Sequence, residues 1–135
     1  MTKKRLEEYR SAKEEISELS EKIRSMEKDE AFIKADTVLD YRTGQGIPKR
    51  IMGFDVNAYW KKRRRYAEKL EALQKECDEV EEWIEAIEDS MTRRVFRMAY
   101  VDGLSQTTIG AVLHLDRSRI SRKITDYLRA CEKKV

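Results

Sequence analysis

The 135-residue chain carries 29 Lys and Arg and 26 Asp and Glu, a net charge of +3, and 41% of its residues are charged while 8% are aromatic. This composition is typical of long helices with a narrow apolar seam, and it excludes a single large globular core. No run of about eighteen apolar residues occurs, and the start MTKKRLEEYR lacks the apolar stretch of a signal peptide, so we expect a cytoplasmic protein without membrane contact.

The positive charge is concentrated at one end of the chain. Residues 1–54 hold twelve Lys/Arg and eleven Asp/Glu, residues 55–90 hold seven and eleven, and residues 91–135 hold ten and four. A basic excess confined to the last third predicts a polyanionic partner for that part of the chain.

Apolar residues of the first segment recur with heptad spacing. One series has a residue at every seventh position, at Tyr9, Ile16 and Ile23. The second series lies three positions further on and consists of Ala12, Leu19, Met26 and Ile33. This pattern predicts a long helix with a coiled-coil-like seam from about Lys3 to Ile33.

A segment at about 36–54 breaks the heptad pattern. Gly44, Gly46, Pro48 and Gly53 fall within ten residues, and such residues interrupt helices. The flanks TVLDY and KRIMGF are compatible with β-structure. The sequence therefore predicts a connector in the form of either a short hairpin or an ordered loop.

A second long helix follows, with Asp55 as its expected N-cap. Its apolar positions again lie on a heptad seam: Val56, Tyr66, Leu70, Leu73, Cys77, Val80, Ile84 and Ile87. Two helices with matching seams can pack antiparallel within one chain, so we expect residues 1–89 to form a long helical hairpin. The same seams could instead pair between two chains, as in a homodimer.

Charge is polarised along this second helix. Its first part carries a run of five cations, Lys61, Lys62, Arg63, Arg64 and Arg65. The stretch from Glu76 to Asp89 holds eight acids and no base. We interpret the basic run as a solvated helix face, with a secondary contact to DNA backbone or to an acidic protein as the alternative.

No pattern in the sequence indicates catalysis. The acids from Glu76 to Asp89 lie along one predicted helix, and the chain has neither a Gly-rich phosphate loop nor a nucleophile–base pair, so we expect no enzyme activity. Cys77 and Cys131 form no CxxC pair and have no His beside them. We interpret both as small apolar residues and expect neither a metal nor another cofactor.

Residues 90–135 contain two further helix starts before the last helix. Ser90 is the expected N-cap of a helix that ends near Asp102 and Gly103, because glycine suits a helix C-terminus. The apolar contacts of that helix come from Val95, Phe96, Met98 and Ala99. Ser105 begins a short helix, whose expected inward residues are Ile109, Val112 and Leu113.

The only histidine of the chain, His114, stands where a helix-turn-helix needs its tight turn. Such a turn commonly requires a positive φ, which His tolerates better than most residues, so we expect either this backbone role or plain solvent exposure for His114. Leu115 then enters the core and Asp116 caps the third helix. Gly110 costs about 1 kcal/mol relative to alanine within a helix, so we expect the third helix to approach it closely.

The third helix has an expected inward set of Ile120, Ile124, Leu128 and Cys131. With those residues buried, the rotation of 100° per residue predicts an outward set near the N-terminal end of the helix. The outward set consists of Arg117, Ser118, Ser121 and Arg122. Arginine and serine can bond base edges, so we interpret these four as base-reading residues.

A second group of residues suits phosphate contacts that fix the register of the protein on DNA. It consists of Ser105, Thr107, Thr108, Arg119 and Lys123. The free N–H groups after Ser105 are expected to add to it. Residues 90–135 are therefore predicted to form a tri-helical helix-turn-helix domain that binds double-stranded DNA.

The segment RRVFRMAYVDGLSQTTIGAVLHLDRSRISRKITDYL resembles region four of bacterial sigma factors. It also resembles the same module in small phage and prophage regulators of the ArpU/RinA type, and that second resemblance extends over the whole chain. Aligned with sigma region four, the four base-reading residues fall where the family contacts the promoter. The resemblance implies control of phage late or packaging genes in a bacterial cytoplasm, with bacterial RNA polymerase as a further partner.

The leading expectation is a sequence-specific transcriptional regulator that acts as a homodimer, since one small module makes few base contacts. The sequence has no room for the sigma regions that melt a promoter, so we expect activation or repression from a bound site. A small-terminase-like DNA-packaging subunit is one alternative. A helical adaptor that binds a protein partner and no DNA is another.

Overall fold

The computed structural model describes residues 1–26 and 55–133, together with the backbone of 33–40 and 47–54. The described chain consists of helices joined by short turns, apart from one two-stranded hairpin. The predicted all-α class is confirmed, and the hairpin is an insertion between the two long helices.

The first helix, α1 (Lys3–Ser25), is shorter than predicted. Residues 27–32, over which the helix was expected to continue, lie outside the described residues. The expected helical end at Ile33 is wrong, because Ile33 is the first residue of a strand. The heptad series already fails at Glu30, which occupies the position that continues Tyr9, Ile16 and Ile23.

The connector contains an antiparallel hairpin of strands β1 (Ile33–Asp40) and β2 (Ile47–Phe54). Ile33 pairs with Phe54 and Asp40 with Ile47. Of the two predicted alternatives for the connector, the hairpin is therefore the one observed. Gly44 and Gly46 lie outside the described residues.

The second long helix, α2 (Val56–Glu85), begins at the predicted cap. The carboxylate of Asp55 accepts a hydrogen bond from the N–H of Ala58 at 3.2 Å. The predicted seam position Val56 is wrong, since its side chain is 53% exposed. Burial begins one turn later, at Tyr59, which is 5% exposed.

Four shorter elements follow in the C-terminal part. They are α3 (Ser90–Phe96), a π-helical turn (Arg97–Val101), α4 (Gln106–Leu113) and α5 (Arg117–Glu132). The sequence predicted Ser90 as the N-cap of α3, but the N-cap is Asp89. The carboxylate of Asp89 accepts the N–H of Thr92 at 2.9 Å and its hydroxyl at 2.7 Å. Ser90 is thereby the first residue inside the helix.

The chain divides into two compact units, Met1–Ile16 with Ala72–Val135 and Ser17–Glu71. We call them the first and the second unit. The predicted domain boundary between residues 89 and 90 lies inside the first unit. In the second unit, Met26 and Tyr59 form a small buried cluster with Ile23, Ala58 and Tyr66 packed against it.

The first unit has one continuous apolar core that joins α1, α2 and all the elements after residue 89. Its buried members are Leu6, Tyr9, Cys77, Val80, Ile84, Ile87, Val95, Phe96, Tyr100, Ile109, Leu113, Ile120, Ile124 and Leu128. Leu6, which the heptad pattern missed, is 1% exposed. The core of the last three helices is therefore shared with the long helices.

Polar contacts also join α1 to α2 within the first unit. The guanidinium of Arg5 lies 2.7 Å from the carboxylate of Glu79, and the ammonium of Lys13 lies 3.4 Å from that of Glu81. The hydroxyl of Tyr9 donates to Glu81 as well. Burial and this hydrogen bond raise the pKa of Tyr9 above its ordinary value, so the phenol stays neutral and keeps donating.

Candidate nucleic-acid interface

Ser105 is the N-cap of helix α4, which starts where the sequence predicted. The hydroxyl of Ser105 accepts the N–H of Thr108 at 3.1 Å. Ile109 and Leu113 are buried, but Val112 is 49% exposed, so its predicted inward position is wrong. The rotation explains the difference, because Val112 lies about 100° around the helix from Leu113 while Ile109 lies about 40° from it.

The turn after α4 is set by the backbone of His114. Its φ of 58° and ψ of 43° are left-handed helical values, which confirms the predicted role of this residue. The N–H groups of His114 and Leu115 both donate to the carbonyl of Gly110. The three residues from His114 to Asp116 thus join α4 to α5 without a longer loop.

Gly110 is required by this turn. A Cβ at Gly110 would lie 2.5 Å from the carbonyl oxygen of Leu115 and 3.6 Å from the backbone nitrogen of Arg117. The close approach that the sequence predicted is therefore observed, and the turn before α5 contributes more to it than α5 itself.

Helix α5 is held by the predicted inward residues Ile120, Ile124 and Leu128, which are all buried. Cys131 is half-buried. Asp116 occupies the N-cap position, but its side chain makes no capping hydrogen bond. The predicted N-cap position of Asp116 is confirmed, but its exposed side chain adds no hydrogen bond to the cap.

The four predicted base-reading residues do not share one face. Arg117, Ser118 and Arg122 are exposed and Ser121 is half-buried. Arg117 stands seven residues before Ile124, and seven residues rotate a helix by about 20° less than two full turns. Arg117 therefore lies on the side of the buried Ile124 and not opposite it, and it is exposed because it is the first residue of α5.

Ser118 and Arg122 are the two members of the predicted set that point away from the core. They stand four residues apart, so their side chains lie on adjacent turns and on the same face of the helix. Ser121 lies between this face and the side of Ile124. The outward surface at the N-terminal end of α5 thus presents a hydroxyl and a guanidinium, with Arg117 and Ser121 at its edge.

Among the predicted phosphate contacts, Ser105, Thr107, Thr108 and Arg119 are exposed and Lys123 is half-buried. The hydroxyls of Ser105 and Thr108 lie 2.9 Å apart and form a hydrogen bond. The expectation of free N–H groups after Ser105 is wrong for Thr108, whose N–H is bonded to Ser105. The bond between the two hydroxyls uses one of their two protons, so the other hydroxyl can still donate to a phosphate oxygen.

A groove between α3 and α5, which the sequence did not predict, lies beside the outward surface. Its volume is about 440 Å³ and its lining consists of Thr92, Arg119, Arg122, Lys123, Asp126 and Tyr127. Burial raises the pKa of the Tyr127 phenol above its ordinary value, so this hydroxyl is neutral and can donate. The groove brings two predicted phosphate contacts, Arg119 and Lys123, next to the predicted base reader Arg122.

Three arginines of the segment 93–97 had no predicted role. The guanidinium of Arg93 donates to the carbonyl of Ile87 at 2.7 Å and so secures the entry to α3. Arg94 and Arg97 are exposed. Their spacing of three residues in the sequence could have indicated that they lie near each other on one helix face.

The ion pairs of the described chain lie outside the C-terminal elements. All five pairs within 4.0 Å involve residues 3–24 of α1, with Glu79 and Glu81 as the partners from α2. Over residues 93–133 as described, no Lys or Arg side chain lies within that distance of a carboxylate. The positive charge of this part is therefore not neutralised by short ion pairs.

The basic run 61–65 belongs to the second unit. The guanidinium of Arg63 donates to the hydroxyl of Tyr59 at 2.7 Å and lies 5.7 Å from the centre of the Trp60 ring. The ammonium of Lys62 lies 5.7 Å from the Tyr66 ring centre. Two of the five cations thus lie near aromatic rings, while Lys61, Arg64 and Arg65 are exposed.

The described residues contain no cluster of three or more His, Cys, Asp or Glu side chains that could hold a metal ion. Cys77 is buried and both cysteines are free thiols.

None of the helices with described residues is long and apolar enough to cross a membrane. Comparison of the chain with protein-family models, with curated proteins and with solved structures gives no match.

Proposed function

We propose that the chain is a sequence-specific regulator of transcription that binds double-stranded DNA through α4 and α5. The observation that carries this proposal is the left-handed turn at His114. It joins a capped eight-residue helix to α5, whose buried side carries Ile120 and Ile124. Ser118 and Arg122 are then exposed at the N-terminal end of α5, which is the end that a recognition helix inserts into the major groove.

The side chains at this end of α5 have the chemistry for reading bases. Arg122 can make two hydrogen bonds to O6 and N7 of one guanine, and Ser118 can donate or accept. Arg117 and Ser121, at the edge of the same surface, can reach a neighbouring base pair. Thr107, Thr108 and Arg119 are exposed where they can bind backbone phosphates and fix the register.

The charge of the module supports an anionic partner. Residues 91–135 hold ten Lys/Arg against four Asp/Glu, and the cations of the described part form no short ion pairs. Neutralising phosphates with these side chains releases counterions from DNA, so affinity falls as the salt concentration rises. The acidic stretch Glu76–Asp89 repels the phosphate backbone and so favours docking by the C-terminal module rather than by the arm of long helices.

The biological setting completes the proposal. The regulator is non-enzymatic and acts in a bacterial cytoplasm as a homodimer on phage or prophage late or packaging genes, with RNA polymerase as a second partner. The resemblance of residues 91–131 to sigma region four and of the whole chain to ArpU/RinA-type regulators supports this setting. Packaging and capsid genes beside the coding sequence would add support.

The proposal is tested by selecting binding sites from random duplexes and then comparing Arg122→Ala with Lys123→Ala. Arg122→Ala should reduce affinity for the selected site by about 1 to 3 kcal/mol and relax its sequence preference. Lys123→Ala should weaken all duplexes alike, because a phosphate contact carries no sequence information. Lys4→Ala, which removes an exposed charge from α1, serves as the control.

Two outcomes would contradict the proposal. Equal affinity of the intact chain for the selected site and for random duplexes at physiological salt would exclude sequence-specific regulation. Absence of any binding at low salt, where phosphate contacts are strongest, would exclude DNA as the partner and favour an adaptor. Mass in solution separates the remaining alternative, because a ring of many copies indicates DNA packaging.

A further inference from the structure

The groove between α3 and α5 has the charge and shape of a site for one anionic group. Arg119, Arg122 and Asp126 on its rim are exposed, and Lys123 and Tyr127 are half-buried. Arg119 and Lys123 stand four residues apart, so their side chains lie on adjacent turns of α5. Three cations and one carboxylate line a volume of about 440 Å³, which leaves a net positive charge.

The cations of the groove are available to a ligand. Within the part of the chain that the structure describes, Asp126 forms no ion pair within 4.0 Å with Arg119, Arg122 or Lys123. Each of them can therefore form a charge-assisted hydrogen bond to an incoming anion without first breaking a bond to a carboxylate.

The walls of the groove are held by contacts with residues outside α5. Thr92 is buried, and its hydroxyl and N–H are both bonded to Asp89. Tyr127 packs edge-on against Phe96 and Trp83, with ring centres 5.4 Å and 5.6 Å away. A site whose walls are held in this way loses little conformational entropy when a ligand binds.

We infer that this groove binds one phosphodiester group of the DNA strand, next to the base that Arg122 reads. Arg119 and Lys123 contact the phosphate oxygens, and Arg122 stands between the groove and the outward surface of α5. Asp126 is a fixed negative charge beside the site that weakens binding to DNA of any sequence. The inference rests on the proposed function and assigns Asp126 a role in it.

The position of the groove favours a DNA phosphate over a free phosphate or a nucleotide. Arg122 belongs both to the groove and to the face that carries Ser118, so an anion in the groove lies beside the surface proposed to enter the major groove. A phosphate in that place can belong to the same DNA strand as the bases that are read. Inorganic phosphate alone would have only the groove contacts and would bind weakly.

The test uses the full chain and a selected duplex in which single phosphates are replaced in turn by neutral methylphosphonates. One position in each half-site should lower the affinity of the intact protein by about tenfold or more, as expected for loss of a charge-assisted bond. In Lys123→Gln the same replacement should lower the affinity much less, because the side chain that contacts this phosphate has already been removed. Lys4→Gln should behave like the intact protein.

Asp126→Asn provides a second measurement that does not depend on loss of function. Removing the carboxylate should raise affinity for selected and random duplexes alike and steepen the salt dependence. Glu132→Gln, which removes an acid of the same helix outside the groove, should have a smaller effect. Circular dichroism of each variant shows whether it is folded.

The outcomes separate the inference from the proposed function. If every methylphosphonate lowers the affinity of Lys123→Gln as much as it lowers that of the intact protein, the groove does not hold a phosphate. The proposal of sequence-specific binding is not affected by that result. If Asp126→Asn binds no better than Glu132→Gln, the role of Asp126 is wrong. If no duplex is bound at low salt, both the inference and the proposed function are wrong.

Discussion

The turn that directs α5 depends on a single missing side chain, at Gly110. Alanine in the middle of a helix is favoured over glycine by about 1 kcal/mol. A Cβ at this position would lie 2.5 Å from the backbone oxygen of Leu115, and a backbone carbonyl cannot rotate away as a flexible side chain can. We therefore expect Gly110→Ala to lower the free energy of unfolding by about 1 to 3 kcal/mol, as overpacking usually does.

Urea denaturation of the full chain measures this effect. Ala111→Gly, at the adjacent exposed position, is the control and should show only the ordinary loss of helix propensity. Gly110→Ala should also weaken DNA binding more than Ala111→Gly does, since it displaces the start of α5. A Gly110→Ala protein as stable as the original would show that the turn tolerates a side chain.

Single residues explain where sequence reasoning succeeded and where it failed. The positive φ of His114 could be predicted, because few residue types tolerate that conformation and the flanking apolar spacing located the turn. Val112 could not be placed, because an eight-residue helix makes little more than two turns and three apolar residues leave its inward direction ambiguous. The position of Arg117 at the edge of the outward surface could have been predicted from its rotation relative to Ile124, but it was predicted to lie on the outward face.

At the scale of the element, the start of α3 depends on the charge of Asp89. Hydrogen bonds from the hydroxyl and the N–H of Thr92 lower the pKa of this carboxyl, and the nearby Lys123 and Arg93 add to the shift. A carboxyl whose pKa is lowered by folding stabilises the protein above its unfolded pKa, near 4. That contribution is lost as the pH falls through the lower folded value.

We therefore expect Asp89→Asn to be less stable than the original at neutral pH, with a difference that shrinks in acid below about pH 4. Asparagine is nearly as good an N-cap as aspartate, so the variant removes the charge and keeps the cap. Thermal unfolding followed between neutral and acid pH measures the difference. Ser90→Ala, which removes the cap that the sequence suggested, should have no such pH dependence.

Element boundaries were the part of the fold that the sequence located least well. Asp89 and Ser90 are both good capping residues in adjacent positions, and only the hydrogen bonds to Thr92 distinguish them. The end of α1 was placed too late because Ile33 fits the heptad spacing as well as it fits a strand. The acidic Glu30 at the preceding seam position is stronger evidence that the heptad pattern has ended than the apolar Ile33 is evidence that it continues.

At the scale of the whole molecule, the basic C-terminal module is not separate from the long helices. Trp83 of α2 packs edge-on against Phe96 at the end of α3 and against Tyr127 of α5, with ring centres 5.5 Å and 5.6 Å away. Charge changes sign near residue 90, but the apolar core does not stop there. The sequence showed the change of charge, while the shared core required the tertiary contacts of residues far apart in the chain.

This continuity predicts that a substitution in α1 destabilises the DNA-binding helices. Leu6 is 1% exposed and lies in the same cluster as Ile120 and Ile124. Leu6→Ala should lower the free energy of unfolding by about 2 to 5 kcal/mol, as truncation of buried leucines does. Because the core is shared, amide hydrogens of α5 should lose protection from exchange along with those of α1.

Hydrogen exchange of Leu6→Ala, compared with the exposed control Glu14→Ala, measures this coupling directly. Loss of protection confined to α1 would mean that α3, α4 and α5 fold as an independent module. Loss in α5 at the same free energy as in α1 would mean that the first unit unfolds as one. DNA affinity then depends on the integrity of α1, although no residue of α1 belongs to the proposed interface.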